Sequence, residues 1–128
     1  MAVDLRRTMV GILKKYGHNI FLQRRINTDN SSIKEFGEVL ERHTVRSRFP
    51  GSLAAVQNEG IEGVLHNADM IYYFKWDANP NEGDRIYEHY ERNSIDVRVF
   101  TVGYALPMRG RGGRIDFWTV GAKREVVE

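Results

Sequence analysis

The chain contains no cysteine, which excludes disulfides and thiolate metal sites. It has no apolar run near the roughly 20 residues that a membrane-spanning helix needs. Arg6, Arg7, Lys14 and Lys15 break up the N-terminal stretch, so it lacks the apolar centre of a secretory signal. No membrane partner is expected. No serine stands in a glycine-flanked elbow of the hydrolase type. The four histidines, His18, His43, His66 and His89, do not fall at metal-ligand spacings. Net charge is only +2, too small by itself to mark a nucleic-acid binder, although the sequence pI is near 9.0. With these absences, no enzyme activity, cofactor or metal is expected.

What remains is ordinary globular material: 128 residues, 41% apolar and 28% charged. That length fits a single domain over 1–128, with a helix over 1–17 and a β-barrel over 18–128 that carries a long loop at 49–63. Charge is unevenly spread. Residues 1–25 hold six Lys/Arg and one acid, residues 27–97 seven against thirteen, and residues 109–124 five against one. Basic ends flank an acidic middle. Such a pattern suits either oppositely charged faces that meet in neighbouring copies, as in a head-to-tail ring, or a surface that balances itself within one fold.

Periodicity separates the elements. Asp4 can cap a helix starting at Leu5, in which Leu5, Met9, Ile12, Leu13 and Tyr16 form one apolar stripe. Lys14 and Lys15 suit the negative end of its dipole, and Gly17 stops it. A helix this short is marginal alone, so its stripe must lie on a sheet or on another subunit. From His18 to Ile26 the period changes to two, with Ile20, Leu22, Arg24 and Ile26 on one face and Phe21 on the other. Asn27–Ser32 reads as a loop. Val39–Phe49 reads as a second strand with no cleanly apolar face, as expected of an edge or intersubunit strand. Phe49–Glu62 is irregular, with a possible helical turn at Leu53–Gln57, and a loop of this length usually has a function. Met70–Trp76 is the strongest strand, with Met70, Tyr72, Phe74 and Trp76 directed to the core. Asp77–Gly83 is a turn. Arg85–Tyr90, Ile95–Ala105 and Arg114–Lys123 complete about six antiparallel strands, which implies a small closed or nearly closed β-barrel with an N-terminal helix.

Two segments invite chemistry. Asp77, Asn79, Asn81 and Glu88 mimic positions of a calcium loop, but Glu82 stands where that loop requires glycine, so an ordinary turn is expected. Arg109-Gly110-Arg111-Gly112-Gly113-Arg114 is basic and glycine-rich. Arg109, Arg111 and Arg114 could contact phosphates, with Tyr104 and Trp118 as stacking surfaces for bases. The same residues suit a hairpin whose glycines supply positive φ and whose arginines face solvent or a protein partner. Phe117 and Trp118 must point to opposite sides of a strand, so at most one of them serves a platform.

The order of elements, the segment Gly83-Asp84-Arg85-Ile86-Tyr87, Pro107 in the following hairpin and the closing Arg114–Trp118 resemble the head-completion, or stopper, proteins of tailed bacteriophages. The resemblance covers roughly Val39–Arg124, and the chain departs from it in opening with a helix and a further strand. It implies a non-enzymatic virion protein, assembled in the host cytoplasm, that forms a ring of sixfold or twelvefold order in the neck. Such a ring sits below a portal or adaptor protein, encloses packaged double-stranded DNA and docks a tail terminator or tail-completion protein. By position, the channel or plug loop is Phe49–Gly63, including Phe49, Pro50, Gly51, Ser52, Gln57, Asn58, Glu59 and Glu62. The subunit and partner interfaces expected on this reading are the helix (Leu5, Met9, Ile12), the second strand (Arg42, Arg46) and the hairpin (Arg109, Arg111, Arg114). The rival reading is a small nucleic-acid-binding barrel that uses the arginine–glycine hairpin.

Overall fold

Alternating apolar residues dictate the architecture of the computed structural model, which describes residues 4–26, 35–50, 68–88 and 98–125, with Arg111 described in its backbone alone. Helix α1 (Leu5–Tyr16) precedes six strands: β1 (His18–Ile26), β2 (Glu35–Arg48), β3 (Met70–Lys75), β4 (Arg85–Glu88), β5 (Arg98–Arg109) and β6 (Ile115–Arg124). The strands close into an antiparallel barrel in the order β1-β2-β3-β6-β5-β4. The core is the barrel interior. Ile20 and Leu22 from β1 meet Val45 from β2, Met70, Tyr72 and Phe74 from β3, Ile86 from β4, Phe100 and Val102 from β5, and Val120 and Ala122 from β6. Tyr72 packs edge-on against Phe100, and His43 stacks on Phe74 at 5.6 Å. Closure leaves no sheet edge around the middle of the barrel, and side chains fill the space inside.

The helix begins and ends where its sequence dictates. The Asp4 side chain accepts a hydrogen bond from the Arg7 backbone at 3.2 Å, and the Gly17 N–H donates to the Leu13 carbonyl. Its apolar stripe is only partly used: Leu13 is buried against the barrel, while Leu5 and Tyr16 remain exposed. The helix contacts β2, β3 and β6.

The strands correct the expected boundaries in three places. β2 starts at Glu35, four residues before the expected Val39, because pairing with β1 (Ile26 to Glu35, Arg25 to Phe36) carries it outward. β5 runs through Pro107 to Arg109, so the expected Pro107–Gly113 hairpin is only a tight turn around Gly110–Arg114. Pro107 fits because β4 pairs only with residues 98–101 of β5, leaving Pro107 with β6 as its one strand neighbour among the described residues. Trp76 lies just past the end of β3 and is half-buried, not part of the central core row.

Candidate functional site

At one end of the barrel the short turn at 77–84 is pinned by a buried acid. Asp84 is 1% exposed. Its Oδ1 accepts from the Arg25 backbone at 2.9 Å and its Oδ2 from the Asn81 backbone at 2.9 Å. The Arg24 guanidinium donates to Asp84 Oδ2 at 3.2 Å, to both oxygens of Glu41, and to the Ala78 and Asn79 carbonyls. The turn that resembles a calcium loop thus aims two of its carbonyls at a guanidinium. Hydrogen bonding from Arg24 holds the Glu41 carboxyl below its ordinary range, and the same bond raises Arg24. Gly83 adopts a φ of +92°, and a Cβ there would press on the Arg25 side chain. The Gly83-Asp84-Arg85 segment is therefore a structural corner that ties β4 to β1.

The opposite end holds a second buried carboxylate. Glu88, 4% exposed, accepts from the Tyr72 hydroxyl and lies 3.0 Å from His18 Nε2. Burial, then the neighbouring Glu88, pushes the Tyr72 hydroxyl far above its ordinary value. Tyr72 therefore stays protonated and donates, which stabilises the carboxylate inside the barrel.

The arginine–glycine turn is stitched to the helix. Arg6 donates two hydrogen bonds to the Ile115 carbonyl, at 3.0 and 2.8 Å, and its guanidinium lies 4.1 Å from the centre of the Trp76 ring. Arg114 pairs with Asp4 and with buried Asp116, and Arg109 donates to the Gly113 carbonyl at 2.7 Å. Gly110 leaves room for the Asp116 carboxylate, which a Cβ there would displace. Gly112 and Gly113 supply the positive φ angles of the turn. Arg109 and Arg114 thus already have protein partners. The two aromatics expected to flank them do not share a face. Trp118 packs on the core and donates to the Trp76 carbonyl at 3.0 Å, whereas Tyr104 is exposed beyond a bulge in β5. Phe117 lies on the outer side against Tyr73.

β1 and β2 run on beyond their other strand neighbours. Among the described residues, β4 pairs only with Phe21–Gln23 of β1 and β3 only with Arg46–Arg48 of β2. Beyond those pairs, residues 24–26 and 35–39 continue as a two-stranded ribbon, fastened on one side by Arg24 and the Arg25 backbone to the 77–84 turn. It exposes Ile26, Val39 and Leu40, with Val39 71% exposed. Glu35 and Glu38 on the ribbon meet no cation among the described residues. Beside it, between α1 and the barrel, runs an open groove of about 410 Å³. Val10 and the buried Leu13 line it with Lys14, Arg42, His43, Thr44, Lys75 and Asp77, and Lys75 lies 3.6 Å from Asp77. Among the described residues, Lys14 and Arg42 meet no carboxylate.

The residues singled out from sequence are therefore scattered. Leu5, Met9 and Ile12 lie on α1, Arg42 and Arg46 are exposed on β2, and Arg46 lies over the Tyr16 ring. Phe49 is exposed and Pro50 half-buried at the end of β2. Gly51, Ser52, Gln57, Asn58, Glu59 and Glu62, His66 and His89, the helical turn at 53–57, the loop at 27–32 and the Arg111 side chain lie outside the described residues. Sequence reasoning missed the Arg24–Asp84–Glu41 cluster and the Glu88–Tyr72 pair, whose partners are far apart in the chain. The one available signal was an acid placed directly before a strand, at Asp84. No helix among the described residues is long and apolar enough to cross a membrane. The fold and these surfaces define a small antiparallel barrel with an external helix and a projecting ribbon. No family model, curated protein or solved structure matches the chain.

Proposed function

We propose that the protein is a structural ring subunit of the head–tail neck of a tailed phage. In this role it closes the DNA-filled head below a portal or adaptor and docks the tail. The observation that carries this reading is the β1–β2 ribbon, which leaves the barrel with Ile26, Val39 and Leu40 exposed. Exposed apolar residues on a strand with an open side are better covered by a partner than left in water. The exposed Leu5 and Tyr16 of α1 support it too. So does the alternation of basic and acidic segments along the chain. Electron microscopy of the purified protein, alone and with phage heads, tests the proposal. Closed rings of sixfold or twelvefold order are expected, and a protein that stays monomeric and does not bind heads would refute it.

A further inference from the structure

We infer that the outer face of β2, together with the end of α1, binds the phosphate backbone of double-stranded DNA without reading its sequence. Side chains alternate along β2. Val45 is buried in the core and His43 stacks on core Phe74, so Arg42, Thr44 and Arg46 stand on the outer face, all exposed. The end of α1 lies beside them. Lys14 shares a groove with Arg42 and Thr44, and Lys15 and Arg46 lie over the exposed Tyr16 ring, at 5.3 and 5.5 Å from its centre. Lys14, Lys15, Arg42 and Arg46 are thus exposed cations of one face, and among the described residues none of them meets a carboxylate. The acids nearby are already engaged. Asp77, which also lines the groove, lies 3.6 Å from Lys75, and Glu41 accepts from Arg24 and lies 3.2 Å from His43. Glu38, on the same strand, is four residues from Arg42, roughly 13 Å at the usual strand rise. An exposed face of one sign with unpaired guanidinium groups suits phosphates, whose oxygens match the fork that arginine presents. The Tyr16 ring carries cations over it rather than an open face for a base, which favours the backbone of a duplex over stacked single strands. The arginine–glycine turn is less suited, since Arg114 is held by Asp4 and Asp116 and Arg109 by the Gly113 carbonyl. Each phosphate neutralised releases counterions, so contacts from these cations give a log–log salt slope of about −3 to −4.

Fluorescence anisotropy of the full chain with a short labelled DNA duplex, over a series of salt concentrations, tests this face. The wild type is expected to bind duplexes of unrelated sequence equally, and more weakly as salt rises. Arg42→Gln with Arg46→Gln, and separately Lys14→Gln with Lys15→Gln, are each expected to lose at least about tenfold in affinity at low salt and to flatten the salt slope by about two. Circular dichroism establishes that both variants fold, as expected for exposed side chains without a carboxylate partner among the described residues. Arg109→Gln with Arg111→Gln is expected to bind as the wild type does. A wild type that does not bind at low salt overturns the assignment, and so does binding that both face variants retain. Loss confined to the 109 and 111 pair moves the site to the turn and overturns it as well. Tighter binding of single strands, or of phosphatidylserine vesicles, than of duplex overturns double-stranded DNA as the ligand. The face belongs to a single copy, so each of these failures leaves the ring reading standing. A protein that binds duplex through this face yet forms no ring supports the face and overturns the ring.

Discussion

Asp84 stabilises three donors at once: two backbone N–H groups and the Arg24 guanidinium. Asp84→Ala leaves them unpaired at a buried corner, and roughly 3–5 kcal/mol of stability should be lost. Asp84→Asn should fall between the two, because its amide keeps one acceptor but turns a donor toward a neighbouring donor. Urea denaturation with an unchanged slope checks both values. Tyr72 makes a second, pH-dependent case. Its folded-state hydroxyl keeps its proton well above the ordinary value of 10.0. The unfolded chain therefore releases a proton above pH 10 that the folded chain holds, and stability falls as pH rises past that point. Tyr72→Phe removes this contribution to the alkaline limb, at a cost of roughly 1–3 kcal/mol near neutrality from the partner withdrawn from buried Glu88. Glu41 works in the opposite sense. Its carboxyl lies below the ordinary 4.5 because Arg24 donates to it. Its stabilisation is present above that value and fades as pH falls through the lowered one. Glu41→Gln should flatten the acid limb of a stability–pH profile measured by thermal melting.

At the scale of elements, α1 and the 110–114 turn behave as one strap, joined through Arg6, Arg114 and Asp4. Leu13 is the helix residue buried most fully, so Leu13→Ala should cost roughly 2–5 kcal/mol. Met9→Ala, at a half-buried position, should cost less. A pair of denaturation curves decides the order, and an equal loss at both sites would contradict the packing described. Helix α1, β1, β3 and the barrel itself were legible because each carries its own period and its own stop signals, such as Asp4 and Gly17. The start of β2 was not legible. Glu35-Phe36-Gly37-Glu38 has one strand-favouring residue, Phe36, beside a glycine and two acids, and pairing with β1 makes it a strand. Pro107 argued for a turn, yet at that point β5 has a single strand neighbour and tolerates it. In the candidate site, the exposed charges of β2 could be read from its polar faces. The ion cluster at Arg24 could not, since Arg24 and Asp84 are 60 positions apart.

For the whole molecule, the closed barrel is the folded unit, and the proposed ring would join such units through surfaces that the barrel leaves exposed. Among the described residues, Glu35, Glu38, Lys14 and Arg42 meet no opposite charge. On the proposed ring reading such charges serve association, which should weaken as salt screens them. The most direct test of this account is a single-particle image of the purified protein at high concentration and low salt. Closed rings of six or twelve copies are predicted. Isolated barrels under those conditions would contradict it.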